Sequence, residues 1–300
     1  MALNNQQTAY IQIHIAVILF GFTAILGDLI QLPAIVLVWW RVLITSFSLL
    51  FFIQFGKNLH KIPKDKIKTF ALIGAIVGLH WICFYGSIKL ANASISLICM
   101  GTTSFFTSIL EPIIVKRKIK VLEICMGACV IPGMFLVVQN VNLSYQNGIW
   151  VGLAAALLAA LFAILNKKHI TSSDPYTITF IELTSAWIML SGLILILQLS
   201  SYKTTSFIPP NLSDWIYLIL LALLCTTLAF VLSLKALQYI SAFASNLVIN
   251  LEPVYGIILA ILILNEHNDL SPMFYLGGAI ILLSVLLYPY LNKLIYKKPI

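Results

Sequence analysis

Ten apolar stretches, most of about twenty residues, follow one another through this 300-residue chain with only short polar connections between them. They run at approximately 11–30, 34–55, 67–89, 92–115, 121–139, 148–166, 175–199, 215–237, 241–264 and 272–291. About twenty consecutive apolar residues span the ~30 Å hydrocarbon core of a bilayer, so there is room for ten crossings and for no separate soluble domain. Strands of an outer-membrane barrel would alternate in polarity over ~10 residues, and these stretches do not. Lipid offers no water to satisfy peptide groups, so each stretch is predicted to be a helix. The expected fold class is an all-α integral membrane protein with ten transmembrane helices. Turn formers mark the connections: Pro33, Pro63, Asn147-Gly148, Asp174-Pro175, Pro209-Pro210 and Pro272.

Composition agrees. Only 9% of the residues are charged and 61% are hydrophobic, whereas a soluble domain carries ~25% charge because its surface meets water. The net charge of +8 does not point to nucleic acid, because the lysines sit in short clusters between apolar stretches. Met1 to Tyr10 is polar and has no Lys or Arg, so the first stretch is expected to be a retained helix rather than a cleaved signal. All five cysteines fall within apolar stretches, and none forms a CxxC pair. Cys125 and Cys129 share a helix face without further ligands nearby, so small buried hydrophobes are expected and no metal site.

The basic residues orient the chain. With the N-terminus in the cytoplasm, that side receives Lys57, Lys61, Lys64, Lys66 and Lys68, then Lys116, Arg117, Lys118 and Lys120, then Lys167 and Lys168. Lys235, Lys293, Lys297 and Lys298 complete fifteen, against Lys89 and Lys203 on the other side. Such a split is a strong positive-inside signal, predicting an inner-membrane protein with both termini cytoplasmic.

Sliding the chain along itself by 149 residues brings helices 4 and 9 into register: Ala93-x-x-Ser96 falls on Ala242-x-x-Ser245, and Phe106 on Tyr255. Lys116-Arg117-Lys118 then falls opposite Asn265-Glu266-His267. Five helices per half is an odd number, so the second half must enter the membrane upside down, and the basic cluster is lost where the helix end faces outward. The expected organisation is two inverted five-helix repeats, residues 1–140 and 148–292, an arrangement that recurs in transporters.

The stretch Leu237-Gln238-Tyr239-Ile240-Ser241-Ala242, through Asn250-Leu251-Glu252-Pro253-Val254-Tyr255, to Leu264-Asn265-Glu266 resembles the second repeat of the EamA-type branch of the drug/metabolite transporter superfamily. Lys89-Leu90, the small-residue run into Phe106-Thr107, and Pro33 followed by Arg41 resemble its first. The resemblance implies a central cavity between the halves that moves small metabolites, often amino acids and often outward. Where that family has a mid-helix proline in helix 4, this chain has Ser104; the implied kink is not carried over, and Pro112 is the alternative place for one.

Charged groups inside a bilayer cost ~2.5–3.5 kcal/mol each on insertion scales, so each should face the protein interior or water. Arg41, Glu111, Glu182 and Glu252 lie well inside the stretches. Glu252 is placed near the midplane beside Pro253, which removes a backbone N–H and frees a carbonyl. It is either a cavity carboxylate for an amine or a proton, or a structural group holding the bend. Arg41 and Glu182 sit at equivalent depths in helices 2 and 7. Arg41 is either a carboxylate clamp or half of a structural pair, with Glu182 a candidate partner. Glu111 is expected to pair locally with Lys116 or Arg117. His80, Trp81 and Tyr85 form a polar-edged aromatic patch, open either to a substrate ring or to ordinary packing. Asn166, Asn246 and Asn250 are hydrogen-bonding groups for helices or for substrate. Gly74, Gly78, Gly127, Gly277 and Gly278 are expected at close helix contacts.

These residues point to a carrier of small polar metabolites, preferentially an exporter of amino acids or related compounds, working as a monomer (with a homodimer as the alternative). Its partners would be the substrate and the bilayer, with no nucleic acid. The other carriers considered take drugs, nucleotides or sugars. No GxxxxGK[ST] loop, HExxH motif or pair of mid-membrane aspartates is present, so neither a cofactor nor an intramembrane enzyme is expected. A purely structural membrane protein leaves the buried charges unexplained.

Overall fold

The computed structural model describes residues 4–53, 62–199, 207–249, 251–265 and 270–296. Lys57, Lys61, Lys203, Asn250, Glu266, His267, Lys297 and Lys298 lie outside the described residues, as do the side chains of Asn246 and Lys293. Among the described residues the regular structure is entirely helical. Seven helical segments are long and apolar enough to cross a membrane, and three shorter apolar helices accompany them.

The elements are α1 (Asn5–Leu29), α2 (Ala34–Leu49), α3 (Lys64–Leu90), α4 (Ala93–Met100), α5 (Thr103–Val115), α6 (Val121–Ala128), α7 (Val130–Gln139), α8 (Gln146–His169) and α9 (Pro175–Leu199). They continue with α10 (Leu212–Ala222), a π-helical turn (Leu223–Leu228), α11 (Ala229–Leu237), α12 (Ala242–Ile249), α13 (Glu252–Leu259), a second π-helical turn (Ala260–Leu264) and α14 (Pro272–Tyr296). The second apolar stretch was expected to stay helical to residue 55, but α2 ends at Leu49.

Of the expected continuous helices, the fifth divides at Cys129 between α6 and α7, and the fourth and ninth divide at matching positions. The fourth stretch divides at Gly101-Thr102, where the hydroxyls of Thr102 and Thr103 donate to the carbonyls of Cys99 and Met100, each at 2.7 Å. Threonine hydroxyls that compete for backbone carbonyls favour helix ends over helix interiors. Pro112 is not the break; α5 passes through it to Val115. The ninth stretch divides between Ile249 and Glu252, which puts Pro253 in the first turn of α13. There its missing N–H costs nothing, because first-turn N–H groups have no helical partner. The two interruptions share the 149-residue register: α4 falls on α12, Thr103 on Glu252, and the left-handed Lys116 (φ 56°) on the left-handed Asn265 (φ 57°).

Close packing sets the helices. A Cβ on Gly74 would overlap the Glu182 carbonyl, so α3 and α9 touch backbone to backbone. Gly133 and Gly277 do the same for α7 and α14, where a Cβ on either would lie 2.7 or 2.6 Å from the other's carbonyl oxygen. Gly78, Gly127 and Gly278 also sit against neighbouring helices, as expected.

Polar contacts tie the two ends of the bundle. At one end Lys66 Nζ meets His169 Nδ1 at 3.1 Å, Lys167 donates to the Leu237 carbonyl at 2.7 Å, and Lys168 donates to the Ile114 carbonyl at 3.3 Å. At the other end Lys89 donates to the Ile30 carbonyl at 2.7 Å, and Asp214 accepts from the Gln31 N–H at 2.9 Å. A Cβ on Gly148 would meet the Cβ of Ala91, and Ser271 donates to the Asn140 carbonyl at 3.3 Å, which places Ser271, at the start of α14, with the second group.

Candidate functional site

The interrupted helices end on a common cavity of about 70 Å³. Met100 and Thr103 flank one break and Ile249 and Glu252 the other, so two half-helix C-termini and two N-termini converge there. Glu252 lies in the first turn of α13, where the helix dipole favours a carboxylate.

The lining is built from matched pairs at i, i+3 spacing. Phe20 and Thr23 on α1 have their counterparts in Ala159 and Phe162 on α8; Trp81 and Phe84 on α3 have theirs in Phe230 and Ser233 on α11. With Met100/Thr103 and Ile249/Glu252, these account for twelve of the fourteen lining residues. The remaining two are Arg41 and His80, both from the first half. The frame is therefore close to two-fold, and the charged chemistry departs from it.

Arg41 is 2% exposed. Its guanidinium stacks on the Trp81 ring, with Cζ 3.9 Å from the centroid. Nε donates to Thr226 Oγ1 and Nη1 to the Tyr85 hydroxyl, each at 2.6 Å. Thr226 can accept because its own hydrogen goes to the Leu221 carbonyl at 2.6 Å, five residues back in the π-helical turn. Such turns recur at functional sites, where they re-aim a side chain. These bonds fix the guanidinium and leave Nη2 without a hydrogen bond among the described residues. His80 Nδ1 lies 2.9 Å from the Ala155 carbonyl; a carbonyl only accepts, so Nδ1 carries a hydrogen and Nε2 is the nitrogen left to accept. Its ring packs against Phe84 and Phe162, with centroids at 6.2 and 5.3 Å. Glu252 is 6% exposed and lines the same cavity as Arg41.

Of the residues singled out in the sequence, Arg41, His80, Trp81 and Glu252 come together here. Tyr85 stands behind the wall and reaches the site through Arg41. Asn250 lies outside the described residues. Glu182 is not the partner of Arg41. It is fully buried on α9, away from the cavity lining, and accepts from Asn166 Nδ2 at 3.3 Å. Equal depth along two helices does not set equal facing around them, and α9 turns Glu182 towards α8. Glu111 pairs with Arg117 at 2.9 Å, and Arg117 also binds Glu123. Thr226, Thr103, Phe162 and Phe230 were missed. Applying the 149-residue register to Trp81 and Glu252 would have found Phe230 and Thr103.

Among the described residues, seven helices long and apolar enough to cross a membrane, with interrupted helices that meet at a cavity lined by Arg41 and Glu252, give the architecture of a membrane transporter. The chain belongs to the EamA-like transporter family, whose model matches residues 7–139 and again 146–289. It is 23% identical to the Bacillus subtilis (strain 168) protein "Uncharacterized transporter YxxF" over 276 residues, covering 89% of this chain and 85% of that protein. It is 25% identical to "Uncharacterized transporter YetK" of the same organism over 280 residues, covering 87% and 81%. One crystal structure superposes with a TM-score of 0.68 over 95% of this chain and 97% of that one, at 11% identity, a likeness of fold alone.

Proposed function

We propose that this protein is an inner-membrane secondary transporter of small polar metabolites, exporting amino acids or related zwitterions by alternating access between two inverted five-helix halves. The observation that carries the reading is that the buried Arg41 and Glu252 line one cavity. Arg41 Nη2 offers a donor to a carboxylate, Glu252 offers an acceptor to an ammonium, and the aromatic wall between them suits an apolar side chain. Inversion is supported by the left-handed residues that share a register: Lys116 follows the end of α5 that Lys168 reaches, whereas Asn265 shortly precedes Ser271, which is bonded to Asn140.

The cavity volume speaks for a closed state. About 70 Å³ accommodates on the order of five waters, so an amino acid enters only when the halves part. Lys66, Lys167, Lys168 and Lys235 gather at one end of the bundle, which supports a cytoplasmic assignment for that end. The test is counterflow in proteoliposomes with a panel of labelled amino acids. Wild-type protein is expected to exchange one class, and Glu252→Gln and Arg41→Gln to abolish that exchange while keeping the helical circular dichroism spectrum. Absence of exchange for every amino acid by folded protein would overturn the substrate assignment and favour a drug, nucleotide or sugar carrier.

A further inference from the structure

A second and larger recess, about 640 Å³, lies outside the central cavity. It runs between α2 and the α10–α11 segment from Ile219 to Lys235, a length of about 24 Å at 1.5 Å per residue. Phe47 and Phe51 form its rim and are 63% and 78% exposed. Its floor holds one polar contact, between Ser48 and Thr227 hydroxyls at 2.8 Å, and both groups are already engaged with backbone carbonyls. Along most of its length, then, the recess is apolar and offers no free donor among the described residues.

Its end is different. Lys235 Nζ lies 4.5 Å from the centroid of the Tyr176 ring and donates to the Tyr176 hydroxyl at 3.0 Å. A lysine that merely anchored a helix would extend its ammonium into water; this one is folded back over the recess. No carboxylate among the described residues pairs with it, since the ion pairs there all involve Arg117 or Lys120. Tyr176 accepts from Lys235, so its own O–H remains available to donate.

We infer that this recess binds one anionic phospholipid, with an acyl chain along α2 and α11 and the phosphate held by Lys235 Nζ and the Tyr176 hydroxyl. The length fits: one leaflet's share of the ~30 Å hydrocarbon core is about 15 Å, which the recess exceeds. The charge fits as well, because Lys235 stands at the bundle end that carries Lys66, Lys167 and Lys168, where anionic headgroups concentrate. Phe52, stacked on Tyr176 with centroids at 5.8 Å, holds the tyrosine in place at the mouth.

The experiment is native mass spectrometry of the purified full chain in detergent, titrated with dioleoyl phosphatidylglycerol and, separately, dioleoyl phosphatidylcholine. Wild type is expected to bind one phosphatidylglycerol in preference to phosphatidylcholine. Lys235→Ala should weaken phosphatidylglycerol binding about fivefold, the effect of one lysine near a charged headgroup, and leave phosphatidylcholine unchanged. Lys235→Arg should restore binding, and Leu232→Trp, which fills the recess, should remove both lipids. Lys118→Ala, on the same basic border but away from the recess, is the control and should bind as wild type. The inference fails if Lys235→Ala matches wild type, if Lys118→Ala weakens binding equally, or if Leu232→Trp retains the lipid. None of these outcomes depends on the transported substrate, so they leave the central cavity's assignment separately testable.

Discussion

Arg41 is a cation held by neutral groups, and that arrangement makes its surroundings as consequential as the charge. Tyr85→Phe removes the acceptor of Nη1; a hydrogen bond to a charged group contributes ~1.5–3 kcal/mol, so half-saturation in counterflow should rise about tenfold or more while the protein stays folded. Glu182→Gln should be silent in the same assay, because a neutral amide can still accept from Asn166. A loss of flux there equal to that of Glu252→Gln would move Glu182 into the transport site. Glu252 and Arg41 were legible in the sequence because a charge within an apolar stretch stands out whatever its neighbours. Their partners were not. Nothing in the residue string distinguishes the face of α9 that meets α8 from the face of α2 that meets the cavity, so the Arg41–Glu182 pairing was a guess from depth alone.

At the scale of elements, backbone contact and buried ion pairs decide which changes are tolerated. Gly74→Val places a side chain against a rigid backbone carbonyl, and overpacking of this kind costs ~1–3 kcal/mol or more. Gly192 has nothing within 4 Å of an added Cβ, so Gly192→Ala should raise stability by ~0.5–1 kcal/mol. Thermal unfolding in detergent separates the two, with midpoints moving in opposite directions. Arg117 closes the α5–α6 turn on two carboxyl groups that are 4% and 3% exposed. Burial alone would lower its ionisation, but hydrogen bonds to Glu123 and Glu111 outweigh it and hold the guanidinium above its ordinary value. A raised value means that this contribution is complete below the usual arginine range and fades only above it, so no loss is expected near neutral pH. Arg117→Ala would leave two buried carboxylates without their shared cation, at about 3 kcal/mol, read in the same unfolding experiment. The helices themselves were plain from apolar length, and Pro253 marked the break in the ninth stretch, but nothing marked the break in the fourth. Gly101-Thr102 reads as one more small-residue step, and the threonine hydroxyls folded back on Cys99 and Met100 are seen only in the structure.

For the whole molecule, the proposed topology predicts that alkaline phosphatase fused after Tyr145 is active and fused after Lys118 is inactive, with the reverse for a cytoplasmic fluorescent reporter. Equal activity at the two junctions would remove the positive-inside assignment. The lysine clusters are what suggest that topology, whereas the agreement between halves was visible only at helices 4 and 9, where a few identities survive. Elsewhere the likeness persists in position rather than in residue type: Trp81 answers Phe230, and Thr23 answers Phe162. Such a lining behaves like a pair of scales with equal pans. Under the proposed alternating access, exchanging the roles of the two halves returns a similar, largely apolar wall, so the empty protein would have little reason to rest on one side. Arg41 and His80, which have no counterpart, and Glu252, whose counterpart is the neutral Thr103, are the weights left over, and under the proposed alternation those three side chains set the tilt of the beam.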